Sequence, residues 1–400
     1  MRILTFTSLF PNAAQPTLGV FIFQRTAHLA RRPGTHVEVV APVPYAPSWL
    51  PGKRWQAFSR VPRQEEIGGL CVHHPSYLLL PKISMPLHGR LMYAGSIEPV
   101  RKLHAQEPFD CIDAHYVYPD GFAAVLLGQA LRIPVILSAR GTDINLFPEF
   151  RLIRPKIRWA LGRAAGIIAV SLSLKDALVA LGTPPEKIAV VPNGIDADRF
   201  RPLERSVARE KLGLPRDGVC VVAVGNLIPG KGQDLLIAAL AKLAPRHPTL
   251  RLFLVGEGPS KIALEEQVRS LGLSERVVFA GIRPHDELPL WFNAANLSCL
   301  VSQREGMPNV VLESLACGTP VLATRVGGIP ELITSRDLGI LVERDVASIA
   351  AAMDQALQSA WDRSLLARQV QSRTWEEVAA EIERLLLLVV QHGPDPPCQH

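Results

Sequence analysis

Short, nearly continuous apolar runs recur along the chain, and each breaks at a glycine, a proline or a polar turn before an amphipathic stretch begins. Ile3 to Thr7, Val37 to Ala41, Pro134 to Ser138, Ile167 to Val170 and Ile188 to Val191 read as buried strands, as does a strand ending near Ala114. The pattern returns with Val219 to Val224, Leu250 to Val255, Val277 to Ala280, Leu297 to Val301 and Val321 to Ala323. Helices are predicted between them, starting near Phe21, Asp120, Asp234 and Pro308, with a last one from about Trp375 to Val390. Strands and helices in alternation predict an α/β protein with parallel sheets. Turn signals at Pro192-Asn193-Gly194 divide the two series, so domains are expected over 1–195 and 196–374, followed by a terminal helix and frayed tail over 375–400.

The most informative stretch runs from Glu305 through Gly306, Met307, Pro308, Asn309 and Val310 to Glu313. It reads as a loop turning into a helix, with Pro308 suited to the first helical position because it has no N–H to leave unpaired. Glu305 then precedes the helix and Glu313 lies in its second turn. The amides around Met307 to Val310 form a seat for phosphate oxygens, and carboxylates on either side suit the hydroxyls of a sugar nucleotide. A second glycine-bearing loop, Gly225-Asn226 to Lys231, precedes the helix at Asp234 and adds a cation for a diphosphate. It lacks the P-loop spacing.

In the first half, Gly19 lies in the loop after the first strand, where a glycine permits close backbone approach. His115 stands at the carboxyl end of a strand, where open α/β sheets bind ligands, and Asp120 is placed to cap the next helix. Arg140 and Asp143 follow another strand end. Either the arginine faces an anionic acceptor or diphosphate, or it forms a salt bridge with Asp143.

Composition narrows the partners. The chain has 400 residues, 48% of them hydrophobic, and no apolar run approaches the ~18–20 residues that span a bilayer. Six cysteines without CxxC spacing read as reduced thiols of a cytoplasmic protein, implying neither zinc nor a disulfide framework. Residues 1–190 hold 21 Lys and Arg against 12 Asp and Glu, whereas 191–400 hold 22 against 25. The basic first half points to an anionic partner. Within it, the proline-rich stretch 42–58 carries Trp49 and Trp55 beside Lys53 and Arg54, suiting either a membrane or acceptor contact or packing onto its own domain. Five cations between Arg151 and Arg163 suit either a helix lying on an anionic membrane or a solvated face. A pI near 9.1 raises nucleic acid as a partner, but no base-stacking module or helix-turn-helix pattern supports it, and none is expected.

The spacing of Glu305 and Glu313 within EGMPNVVLESLACGTPVLATRVGGIPELI closely resembles the donor-site signature of retaining glycosyltransferases of family 4. The resemblance implies the GT-B fold: two Rossmann-like domains facing a central cleft, with a terminal helix crossing back to the first domain. It also implies an NDP-sugar donor, UDP- or GDP-linked, with no cofactor and no bound metal. By the resemblance, Glu313 holds the ribose, Lys231 and the amides the diphosphate, and Glu305 and His115 the transferred sugar. Gly19 lies over the diphosphate and Arg283 near the base. The family usually has an arginine where this chain has Asn226, and many relatives a histidine in place of Arg140. The preferred acceptor is a lipid-linked glycan at the inner membrane face, with the protein peripheral there. A GT-B sugar-nucleotide epimerase and a non-catalytic sugar-nucleotide-binding subunit are the alternatives.

Overall fold

The computed structural model describes residues 1–45, 57–79 and 84–392. Trp49 and Trp55, expected on the acceptor or membrane side, lie outside the described residues. The chain divides into two compact units. One is Met1–Gly194 together with the chain from Trp375; the other is Ile195–Thr374.

The first unit is built on a sheet whose strands run Ile188–Val190, Gly166–Ala169, Val135–Ala139, Cys111–His115, Arg2–Phe6, His36–Val40, Leu70–His73 and Gln64–Ile67 in spatial order. All neighbours are parallel except the last pair, a hairpin. Its turn is Gly68-Gly69, both at positive φ, the backbone that the tightest hairpins require. The strand order reverses direction between Arg2–Phe6 and Cys111–His115, so a crevice opens past their carboxyl ends. Val43–Pro44, at the start of the proline-rich stretch 42–58, pairs with Ser76–Tyr77.

The last helix, Trp375–His392, packs on this same unit. Trp375, Val378, Ala379, Ile382 and Leu386 follow a helical period and are buried with Ile3, Leu29, Cys111 and Ile136. Each large side chain so buried contributes roughly 1.5–3 kcal/mol. The apolar run at the helix end is not buried throughout: Leu387 and Leu388 face solvent because they fall off that stripe.

The second unit holds six parallel strands in the order Val277–Gly281, Leu250–Val255, Val219–Val224, Leu297–Leu300, Val321–Thr324 and Gly339–Val342. Its direction reverses between Val219–Val224 and Leu297–Leu300. Apolar side chains from alternate strand positions feed two clusters, one on each face of the sheet. Val221, Leu252, Leu254 and Cys299 join one, and Val222, Phe253, Val255 and Leu300 join the other. The loops Gly225–Gly232, Ile282–Glu287 and Val301–Pro308 all follow carboxyl ends of these strands.

Candidate functional site

In the second unit two of these loops, Gly225–Gly232 and Val301–Pro308, are tied together through the backbone. Gly230 accepts a hydrogen bond from the Gln303 amide at 2.7 Å, and Gly232, at φ +79°, starts the helix Gln233–Leu243. A Cβ on Gly232 would stand 2.3 Å from the Val301 carbonyl oxygen, so only glycine fits. This close approach brings Lys231 to Glu305, with Nζ 2.5 Å from the carboxylate. Residues expected on the diphosphate and on the sugar thus form one ion pair. Beyond it, Gly306 accepts from the Gly328 amide at 2.7 Å, which fixes the loop against the next strand's end.

The helix here is Asn309–Ala316, and Pro308 is its N-cap with extended ψ rather than its first helical residue. The reason is that Pro308 accepts through its carbonyl from the Val311 amide, so the helix begins one residue later. Met307 and Pro308 are buried, while Asn309 and Val310 are partly exposed. The leading amides of such a helix lack intrahelical partners and favour an anion. Glu313 is buried in its second turn, and its carboxylate receives His285 Nε2 at 3.0 Å. His285 Nδ1 in turn meets Arg199 at 3.1 Å, and Arg199 pairs with Asp196. Sequence reasoning missed His285. Its only signal is its place two residues beyond Arg283, after a strand end.

Asn226 is exposed, and its backbone carbonyl receives the Gln233 side-chain amide at 3.1 Å. Arg283 turns back on its own loop, donating to the Ala280 carbonyl at 2.8 Å and lying 5.6 Å over the Trp291 ring.

The first unit gathers a second cluster at its strand ends. Gly19 has φ +62° and starts the helix Val20–Ala30, with a Cβ position only 2.1 Å from the Leu9 carbonyl oxygen. Arg25, on that helix, donates to both oxygens of Asp113 at 2.8 Å and to Ser138 Oγ at 2.7 Å. Burial alone would raise Asp113, but the charge of Arg25, aided by His115 and Arg140, holds its carboxyl below the usual range. His115 is completely buried. Nε2 lies 3.3 Å from Asp113 and Nδ1 meets the Arg140 guanidinium. Burial, with Arg25 and Arg140 nearby and Asp113 in opposition, lowers it to about 3, so the ring is neutral.

The nitrogen left for the expected contact with a sugar hydroxyl is His115 Nε2, which is buried and makes no hydrogen bond. The ring faces Asp113 on one side and the Arg140 guanidinium on the other. Arg140 also donates to Asn193 at 3.3 Å. It makes no salt bridge with Asp143, whose carboxylate instead accepts the backbone amides of Val117, Arg140 and Gly141 at 2.8–3.1 Å. Asp120 does not cap the following helix. It is buried, accepts from the Ser8 amide, and is pushed up to about 7 by burial.

Residues 204–386 match the family described as Glycosyl transferases group 1, and residues 19–199 that described as Glycosyltransferase Family 4. TuaC of Bacillus subtilis (strain 168), a glycosyltransferase assigned to teichuronic acid biosynthesis, is 30% identical over 361 residues, 88% of each chain. Sucrose-phosphate synthase from Thermosynechococcus elongatus superposes with a TM-score of 0.81 over 98% of this chain and 99% of that one, at 22% identity. HepE of Anabaena, solved with UDP, gives 0.73 over 97% and 100%, at 21% identity. Matched in both halves and related to TuaC along most of its length, the chain belongs to the group 1 glycosyltransferases of family 4 and has the GT-B fold.

Proposed function

We propose that this glycosyltransferase moves a hexosyl unit, with retention, from a UDP- or GDP-sugar to a lipid-linked glycan at an anionic membrane surface. The observation that carries the donor half is the meeting of Lys231, Glu305 and the start of the helix Asn309–Ala316, with Glu313 held by His285 four residues into that helix. Lys231 leaves Glu305 for the donor diphosphate, which seats on the amides from Gly306 to Val310. The freed Glu305 then accepts from hydroxyls of the sugar, and Glu313 accepts from the ribose. Lys231 and the helix dipole stabilise the leaving diphosphate, so the reading invokes no metal. In the first unit His115 serves as a positioning residue, fixing Arg140 for an anionic group of the acceptor.

The acceptor half rests on surface chemistry. On the helix Arg154–Arg163, Ile157, Ala160 and Leu161 are buried while Arg154, Arg158 and Arg163 face out. Just before it Phe150 and Leu152 are 45% and 67% exposed. Cations beside exposed apolar side chains suit anionic headgroups. Among the described residues no helix is long and apolar enough to cross a membrane. HepE was solved with UDP and TuaC is assigned to a cell-surface polymer, which supports a nucleotide donor and a surface glycan.

Thermal shift across NDP-sugars tests the donor site, since a ligand that binds only the folded state raises Tm. UDP- or GDP-sugars should stabilise the protein. Lys231→Ala and Glu313→Ala should each weaken binding at least about tenfold, a loss of ~1.4 kcal/mol. His285→Ala should weaken it less, because the carboxylate remains but is no longer oriented. Unchanged binding in the first two variants refutes the site. Epimerisation of the sugar nucleotide without any acceptor would favour the epimerase reading instead.

A further inference from the structure

The outer edge of the first sheet carries a cluster that the donor chemistry does not use. Cys71 and His73 are two residues apart on one strand and so project from the same face. Glu38 stands beside them on the neighbouring parallel strand, because Val39 pairs with Val72 and Val40 with His73. The thiol sulfur, an imidazole nitrogen and a carboxylate oxygen all lie within 4.8 Å of one another. Cys71 lines a surface cavity with Gln64, Glu65, Glu66 and Gly69, whereas the other described cysteines are buried.

We propose that Cys71, His73 and Glu38 form a zinc site that ties the edge hairpin to the sheet. Tetrahedral zinc takes sulfur at about 2.3 Å and nitrogen or oxygen at about 2.0 Å, which sets nitrogen and sulfur ~3.5 Å apart and nitrogen and oxygen ~3.3 Å apart. His73 Nε2 lies 3.5 Å from Cys71 Sγ and 2.7 Å from Glu38 Oε1. One edge of the tetrahedron is already formed. A second, between His73 and Glu38, opens by about 0.6 Å when the metal takes the Nε2 position of the shared proton and the ring keeps its proton on Nδ1, and the third, from Cys71 Sγ to the Glu38 carboxylate, already lies within 4.8 Å.

Outer contacts orient two of the ligands. Gln64 donates to Cys71 Sγ at 3.0 Å, and Arg2 to the second oxygen of Glu38 at 3.2 Å. The Arg2 charge is shared with Glu107, and Glu66 lies opposite Cys71 across the hairpin, so carboxylates outnumber the guanidinium around the cluster. A fourth position remains for water or Glu66. Ligands drawn from strands more than thirty residues apart leave no spacing signature in the chain, which is why cysteine pattern alone gave no hint of metal.

Titration of the reduced, untagged full chain with Zn²⁺ against a chromophoric chelator tests this, with Co²⁺ as a spectroscopic substitute. The expected result is one equivalent bound, a thiolate-to-cobalt charge-transfer band, and a Tm that rises with zinc. Cys71→Ser should abolish the band and weaken zinc by roughly tenfold or more, while its metal-free Tm stays near that of the parent. Glu38→Gln should weaken zinc and keep the band. His36→Ala, at an exposed position on the same sheet, should change neither. Failure to take up zinc, or uptake that survives Cys71→Ser unchanged, overturns the proposal.

Discussion

Replacing Asp113 by asparagine should damage the first unit more than any change on its surface. The Arg25 and Asp113 side chains are 3% and 1% exposed, and both carboxylate oxygens are engaged. A side-chain amide there would keep the shape but remove the charge and one acceptor, stranding the guanidinium with one amide oxygen and Ser138 Oγ. Breaking one half of a buried pair typically costs about 3–5 kcal/mol, and the contacts that survive place this case near the lower end. Against a total stability of about 5–15 kcal/mol that is a large fraction. At ~2–4 °C per kcal/mol for a unit of this size, Tm should fall by roughly 6–12 °C. Urea unfolding gives the magnitude. Hydrogen exchange gives the place: amides of Cys111–His115 and Val135–Ala139 should exchange faster while those of Val219–Val224 hold. The double variant Arg25→Met, Asp113→Leu should recover most of the loss, because well-packed apolar groups replace such a pair at little cost. A loss below about 1 kcal/mol, or a double variant no better than the single, refutes the reasoning.

Asp120 makes a prediction of pH dependence. Its carboxyl is raised to about 7, whereas an unfolded aspartate titrates near 3.9, so the folded state holds a proton that the unfolded chain has lost. The stabilisation is present in full below about pH 4 and is lost as pH rises through about 7, amounting to roughly 2–4 kcal/mol. Asp120→Asn mimics the protonated acid, so its stability relative to the parent should climb between pH 5 and pH 8 in parallel urea titrations. Curves that stay parallel reject that account. Gly232→Ala should destabilise the second unit by about 2–3 kcal/mol, from a left-handed φ together with the Cβ contact on Val301. Its thermal response to a nucleotide sugar should fall as well, since Lys231 is the neighbouring residue.

Much of the architecture was legible because its causes are local. Apolar runs such as Val219–Val224 and Leu250–Val255, each closed by glycine, can do little else but form buried parallel strands. The loop-to-helix turn around Pro308 and the spacing of Glu305 and Glu313 likewise follow from neighbouring residues, though the cap fell one position later than proline preference suggests. The hairpin Gln64–Ile67 and Leu70–His73 went unread because its strands are short and polar on one side. Only Gly68-Gly69 marked it.

What only the tertiary structure decided is which groups face one another. Lys231 meets Glu305 because two loops 74 residues apart share backbone hydrogen bonds, and His285 meets Glu313 across 28 residues. His115 and Arg140 were each visible as strand-end residues, yet only the folded chain shows that His115 Nδ1 meets the Arg140 guanidinium beside the buried pair of Arg25 and Asp113. Asp120 likewise accepts from the Ser8 amide, 112 residues away in the chain, rather than capping the helix beside it. Periodicity and turn chemistry act over a few residues and so are written in the chain itself. The partner of a buried polar group is settled by the competition among all donors and acceptors that folding brings near it, and that competition exists only in three dimensions.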